Sequence, residues 1–258
     1  MAEVISIVNN KGGVGKTTTV ANLGYAWARA GKKVLLIDLD SQANLTTLVG
    51  TIPIDEHERV VYDALVEHSD LPIDKVESNL DIVPSGLSLS SYERDSIKDN
   101  LWVYSLKDLI SPLREKYDYI LLDCPPALGA ITYIAMVASD YLLLIGTPDS
   151  MSYAGMQMVM TLASDIKKNA RLNPDLRLLG CLLTKAKPSE KVDNLFIRRI
   201  REDMAQYWIP VIIKDETAVK QSAACGVNIF DYRPDSKAAN SYLEISEILC
   251  ERIQNNKG

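Results

Sequence analysis

Short runs of consecutive apolar residues alternate along this chain with longer stretches in which apolar positions recur every third or fourth residue. Val4-Ile5-Ser6-Ile7-Val8 is the first run, of strand length, and Asn9-Asn10-Lys11-Gly12-Gly13 punctuates its end. From Lys16 to Ala30, the residues Val20, Leu23, Trp27 and Ala30 share one helical face, and Gly31 supplies a stop. Val34-Leu35-Leu36-Ile37 follows, apolar at successive residues, as a strand covered on both faces requires. Comparable runs are 80–83, 119–122, 141–145, 178–183 and 211–213, while 151–169 and 191–207 read as helices. Strand and helix alternating over the whole length predict an α/β fold, a doubly wound and mostly parallel β-sheet flanked by helices. No linker, repeat or Pro/Gly-rich hinge divides the sequence, so residues 1–258 are expected to form a single domain.

Composition narrows the class. An apolar fraction of 47% and a charged fraction of 24% in 258 residues are those of a globular chain, and exclude a disordered, collagen-like or disulfide-dense one. No window approaches the apolar length of a spanning helix, and Met1–Ile5 enters a strand pattern without a basic leader. Cys124, Cys181, Cys225 and Cys250 lie far apart with no C-x-x-C pair, so a reducing cytoplasm is the expected compartment. The net charge of −6 argues against coating nucleic acid by bulk charge. Charge is unevenly spread, however. Residues 41–119 carry 15 acidic and 7 basic side chains, whereas 185–237 carry 10 basic and 8 acidic.

The informative stretch is Asn9–Thr19, between a predicted strand and a predicted helix. Gly12, Gly13 and Gly15 let backbone N–H groups around Val14 turn toward an anion, and the helix N-terminus adds its positive dipole end. In such a loop Lys16 reaches the β- and γ-phosphates, Thr17 offers a hydroxyl to Mg²⁺, and Thr18 continues the helix start. The alternative is a glycine-rich turn that merely joins strand to helix. The strict G-x-x-x-x-G-K-[ST] template fails at its first position, which is Asn10, and a second lysine, Lys11, stands at the front of the loop.

Lys-Gly-Gly-Val-Gly-Lys-Thr-Thr resembles the deviant phosphate loop of the ParA/MinD family of ATPases. That resemblance implies ATP and Mg²⁺ as ligands, and gives Lys11 a catalytic role in trans, on nucleotide held by the other subunit of an ATP-bound homodimer. The bland alternative is a solvated loop lysine. Ile37-Asp38-Leu39-Asp40-Ser41-Gln42-Ala43-Asn44-Leu45-Thr46 resembles the family's D-x-D-P-Q-G-N-x-T. The resemblance makes Asp40 the residue that orients the attacking water and Asp38 a support of the Mg²⁺ shell, with Ser41 and Ala43 replacing the usual Pro and Gly. Tyr119–Leu122 ends in Asp123, followed by Cys124-Pro125-Pro126, the arrangement in which an aspartate holds Mg²⁺, usually through water. Leu182-Leu183-Thr184-Lys185 ends a later strand where relatives contact the base. Gly226, Tyr232, Pro234, Ser236, Lys237 and Ala238 match the family's C-terminal pattern, so the resemblance runs from about residue 4 to about 250. With the loop starting near residue 9, no added N-terminal DNA-binding domain is expected, as in the short members of the family.

What such an ATPase serves is less legible. The family resemblance implies a partition ATPase that binds DNA non-specifically, sits on the nucleoid, and is switched off when a ParB-like or adaptor partner stimulates hydrolysis. Candidate DNA contacts are Arg198, Arg199, Arg201, Lys214, Lys220, Arg233 and Lys237, although Glu202, Asp203, Asp215 and Glu216 interleave and an ordinary solvated surface is the alternative. Relatives often read Ile-Pro-Arg-Asn where this chain has Ile213-Lys214-Asp215-Glu216. A membrane partner is not expected: the last helix carries Glu244, Glu247 and Glu251, and its Leu243, Ile245, Ile248 and Leu249 read as core contacts. Positioning of a protein assembly, or a metabolic P-loop enzyme, are the competing readings.

Overall fold

The computed structural model of the chain describes residues 1–50, 52, 54–96 and 101–256. The apolar runs are strands: β1 (Glu3–Val8), β2 (Val34–Asp38), β3 (Asp74–Glu77), β4 (Leu80–Val83), β5 (Tyr119–Asp123), β6 (Tyr141–Gly146), β7 (Arg177–Ala186) and β8 (Trp208–Lys214). Helices connect them. Before β5 come α1 (Lys16–Arg29), α2 (Asn44–Val49), α3 (Val61–Glu67), α4 (Tyr92–Ser96) and α5 (Ser105–Ile110). After it come α6 (Ala130–Ala138), α7 (Ser150–Lys168), α8 (Lys191–Asp203), α9 (Thr217–Ala224), α10 (Ile229–Tyr232) and α11 (Lys237–Asn255).

Among the described residues the strands form one eight-stranded sheet in the order β3-β4-β2-β5-β1-β6-β7-β8. All neighbours are parallel except β3 and β4. β3 was not anticipated, because Asp-Lys-Val-Glu has no apolar run; as an antiparallel edge strand it needs cover on neither face to the extent a central strand does. The helix expected over 191–207 ends at Asp203. No helix among the described residues is long and apolar enough to cross a membrane.

Successive side chains of each central strand enter opposite cores, which explains the uninterrupted apolar runs. Val4, Leu35, Ile37, Ile120, Leu122, Leu142 and Leu144 pack with Leu106, Ile134, Met156, Val159 and Ile200 of α5, α6, α7 and α8. Ile5, Ile7, Leu36, Leu121, Leu143 and Ile145 pack with Leu23 and Trp27 of α1, Ala218 of α9, Ile229 of α10, and Tyr242, Ile245 and Leu249 of α11. Two of the expected core positions are corrected. Ala30 is exposed beyond the end of α1, and Leu243 is 41% exposed on the outer face of α11.

Because β1 lies between β5 and β6, the chain leaves it toward one half of the sheet and later crosses to the other, so the carboxyl edge at β1 and β5 is the topological switch point. There α7 presses against the loop after β1. Gly155 permits it: a Cβ would lie 2.3 Å from Asn9 Oδ1 and 3.4 Å from backbone atoms of Asn10. Asn9 is itself clamped, its Nδ2 donating to the Ile145 carbonyl at 2.6 Å and the Ser152 hydroxyl at 3.1 Å. Gly155→Ala is therefore expected to lower the unfolding free energy by about 1–2 kcal/mol in denaturant titration, overpacking outweighing the better helix propensity of alanine. A variant as stable as the parent would mean that the contact has slack.

Candidate nucleotide and metal site

The loop between β1 and α1 turns through two left-handed glycines, Gly13 at φ +74° and Gly15 at φ +89°, of which Gly15 stands at the N-cap of α1. Its backbone is held from behind. The Thr184 hydroxyl, buried at the end of β7, donates to the Val14 carbonyl at 2.5 Å and the Lys185 ammonium to the Gly13 carbonyl at 2.6 Å. Lys185 is exposed and in the left-handed region itself, at φ +52°. Gly12, Gly13, Gly15, Lys16, Thr17, Thr18, Asp40 and Lys185 line a cavity of about 480 Å³, within the range of small-ligand sites. Helix dipole, inward backbone and lysine make it an anion site.

The two lysines of the loop part ways. Lys16 is buried, its Nζ 3.3 Å from the Lys11 carbonyl and 3.4 Å from that of Asn9. Burial lowers its pKa, opposed by Asp123, then Cys124 and Asp40. Lys11 turns the other way: its Nζ lies 2.7 Å from Asp149 Oδ2, at the N-cap of α7, and 3.4 Å from Thr147 Oγ1. Burial works to raise the Asp149 pKa, but bonds from Lys11, Thr147 and the Ser152 N–H leave it lowered.

The acids differ as sharply. Asp38 and Asp123 are register partners across β2 and β5, so two carboxylates stand side by side at the sheet edge. Asp38 is bonded within its own loop: Oδ1 accepts the Asp40 N–H at 3.1 Å, and Oδ2 accepts the Thr46 N–H and hydroxyl, both at 2.8 Å. Even so, burial raises its pKa to about 6. Asp123 is buried with no hydrogen-bond partner for either oxygen; the Thr17 hydroxyl is near but outside bonding geometry. Burial, then repulsion from Asp38, holds the Asp123 pKa well above the usual carboxylate value, against the pull of Thr17 and Lys16. A buried acid with bare oxygens beside a threonine hydroxyl fits a hard cation. No group of three or more His, Cys, Asp or Glu side chains that could hold a metal occurs among the described residues, so a cation here would draw further ligands from a bound phosphate and water. Asp40 lines the cavity and is oriented by the Gln42 N–H at 3.0 Å from its Oδ1.

The expected basic patch is divided. Arg198, Arg199 and Arg201 lie on α8, against one core, whereas Lys220, Arg233 and Lys237 belong to the α9–α11 side, against the other, with Lys214 at the end of edge strand β8 between them. Two are engaged: Lys220 lies 2.6 Å from Asp215, and Arg199 lies 3.8 Å from Asp203 and stacks over the Tyr153 ring. Sequence reasoning missed Thr147, Asp149 and Gly155, and gave Asn9 and Lys185 no part in holding the loop. Asp149 was within reach, since Asp-Ser-Met-Ser after an apolar run is an N-cap pattern; the others act through tertiary contacts alone.

The chain is similar to known proteins over most of its length. A family model described as an AAA domain matches residues 2–178. The chain is 32% identical over 251 residues to the sporulation initiation inhibitor protein Soj of Bacillus subtilis, across 96% of this chain and 98% of that protein. It is 32% identical over 257 residues to the chromosome partitioning protein ParA of Myxococcus xanthus, across 98% and 89% respectively. The solved structure of a cobyrinic acid a,c-diamide synthase from Mycobacterium smegmatis, with bound ADP and magnesium, superposes with a TM-score of 0.83 at 26% identity, over 99% of this chain and 97% of that one.

The raised carboxyls have a consequence for stability. A folded-state pKa above the unfolded value means that folding takes up a proton, so the contribution of Asp38 is fully present below its unfolded pKa and lost as pH rises through about 6. Asp123 acts in the same direction. Asp123→Asn is therefore expected to raise the melting temperature of the ligand-free protein at pH 8, to leave it nearly unchanged at pH 4.5, and to abolish stabilisation by Mg²⁺ with nucleotide. Scanning calorimetry at both pH values checks this; a variant that is less stable at pH 8 would contradict it.

Proposed function

Because the chain belongs to the ParA/MinD family of P-loop ATPases, we propose that it is one ATPase domain over residues 1–258, and that it works as an ATP-dependent dimerisation switch for partition of a plasmid or chromosome. The observation that carries the reading is the divergence of the two loop lysines. Lys16 is buried under the loop, suited to its own nucleotide, while Lys11 lies on the outer side against α7, suited to nucleotide on another copy.

In this reading the N–H groups of Gly12–Thr18 and the Lys16 ammonium bind the triphosphate of ATP. Asp123 and the Thr17 hydroxyl hold Mg²⁺, and Asp38 keeps the Asp40 loop in place through Thr46. The Mg²⁺ ion, when bound, neutralises charge on the phosphate oxygens. Asp40 orients a water in line with the terminal phosphorus; the water oxygen forms the new P–O bond as the bond to ADP breaks. Thr184 and Lys185 steady the loop from behind, beside the base. ATP binding joins two copies face to face, and Lys11 of each neutralises charge on the other's phosphates.

The dimer doubles a modest set of cations. Arg198 and Arg201 on one side of β8, Lys214 at its end, and Arg233 and Lys237 on the other side bind DNA without sequence preference, which gives the protein its place on the nucleoid. Lys220 and Arg199 contribute less, being paired with Asp215 and Asp203. A ParB-like or adaptor protein then stimulates hydrolysis and releases the dimer from DNA.

A competing reading is a metabolic P-loop enzyme, such as the synthase named for the M. smegmatis structure. A synthase needs a second substrate for turnover, whereas the partition reading requires none. The test is a DNA titration with and without Mg-ATP at two salt concentrations, beside ATP turnover and light scattering. Wild-type protein is expected to bind DNA only with ATP, and more weakly at high salt. Lys11→Ala should bind nucleotide but stay monomeric, and Asp40→Ala should remain an ATP-bound dimer with turnover at least about tenfold reduced. Turnover that appears only with a second substrate, or ATP-independent DNA binding, would refute the proposal.

A further inference from the structure

Away from the phosphate loop, at the amino ends of β6 and β7, a second cavity of about 450 Å³ opens beside the C-terminal half of α7. Its floor is apolar: Leu142 and Leu144 of β6 and Leu178 of β7. Met160 and Ala163 of α7 give it an apolar wall. The strands beneath are irregular. Leu142 pairs with Leu178 but Leu143 with Gly180, so β7 holds one residue more than β6 here and bulges, which bends the strand under the cavity.

The charge around this floor has one sign. Lys167 and Lys168, at the end of α7, and Arg177, at the start of β7, line the cavity, and among the described residues no Asp or Glu does, in a chain of net charge −6. Lys168 lies 3.6 Å from Asp165 in an exposed pair. Arg177 donates to the Asn256 carbonyl at 2.5 Å, a bond that leaves its charge unanswered, and Lys167 has no ion-pair partner among the described residues. We propose that this cavity binds a free medium-chain fatty acid, its tail over the leucines and its carboxylate at Lys167 and Arg177. A single helical turn, about 5.4 Å long and about 10 Å across, would take up the whole volume, so a partner helix could bury too little here to hold. An extended acyl chain fits, and each CH₂ buried adds about fourfold in affinity. The exposed cations contribute less and set the preference for an anion. The cavity shares no residue with the nucleotide site, so it stands or falls apart from the ATPase reading.

The test is calorimetric titration of the full-length, nucleotide-free protein with dodecanoate, decanoate, dodecanol and dodecyltrimethylammonium, each below its micellar concentration. Dodecanoate is expected to bind once per chain, decanoate about tenfold and dodecanol about fivefold more weakly, and the cation not measurably. Ala163→Trp, which fills the cavity, should abolish binding. Lys167→Gln keeps the stem and removes the charge; it should weaken dodecanoate about threefold and leave dodecanol unchanged. Thermal melting by circular dichroism separates loss of the site from loss of the fold, and Lys167→Gln decides the matter if the tryptophan is not tolerated. No binding of dodecanoate, equal binding of anion, alcohol and cation, or dodecanoate bound undiminished by the substitutions overturns the proposal. An acidic amphipathic peptide that binds where dodecanoate does not overturns it too, and makes the cavity a protein docking site.

Discussion

The arrangement turns on one unfavourable placement: the Asp123 carboxylate, buried at the end of a central strand, beside a second buried acid, with nothing bonded to its oxygens. Burying such a group is costly unless a charge or a hydrogen bond answers it. Lys16 answers in part, but it is itself buried and has its pKa lowered, so the pair resembles a half-built ion cluster. Asp38, its neighbour in the ladder, is spent on Thr46 and Asp40 and can offer little. The missing element is cationic and external. A site built this way is poised to bind a metal with phosphate and is less stable without them, which is the trade between stability and function expected where strain is kept for binding.

The sheet makes that placement unavoidable. Parallel strands end together, and the order of strands brings the ends of β1, β2 and β5 to one edge. The loops that leave there carry the glycine-rich turn, the Asp38–Thr46 segment and Asp123-Cys124-Pro125-Pro126. Chain crossing at β1 then brings α7 from the opposite half against Asn9 and Asn10, an approach that only a residue without Cβ at position 155 allows. The loop is consequently held by both halves of the sheet: by Asn9 on the β6 side and by Thr184 and Lys185 from the end of β7.

Much of this was legible in the sequence where one segment carries the whole signal. The buried parallel strands carry long apolar runs, and the phosphate loop is contiguous, so Lys16, Thr17 and the two acids Asp38 and Asp40 at the end of β2 could be found without knowing what they touch. Legibility failed where meaning depends on contacts between distant segments. β3 has no apolar pattern because it lies at the sheet edge and pairs antiparallel. Asp149 reads as a helix cap, and only the fold brings it to a lysine 138 residues earlier. The basic residues between 198 and 237 look clustered along the chain, yet the strand between α8 and α9 sends them to opposite faces. Leu243 belongs to the apolar pattern of its helix but falls at the margin of the buried stripe.

The loop after β2 joins these two kinds of information. The family pattern has glycine where this chain has Ala43, and the backbone gives the reason: Ala43 sits at φ +50°, in the left-handed region, while almost fully buried. A side chain there costs about 1 kcal/mol relative to glycine. The surrounding bonds offset that cost. The Ala43 N–H donates to the Asp40 carbonyl at 2.9 Å, the Thr47 N–H donates to the Ala43 carbonyl at 2.9 Å, and Asp38 grips Thr46 through two bonds. Glycine is therefore not a geometric necessity at this position but one way of lowering the energy of a turn that the Asp38 network already imposes. The departure from the pattern leaves Asp40 lining the cavity, its Oδ1 still accepting the Gln42 N–H at 3.0 Å.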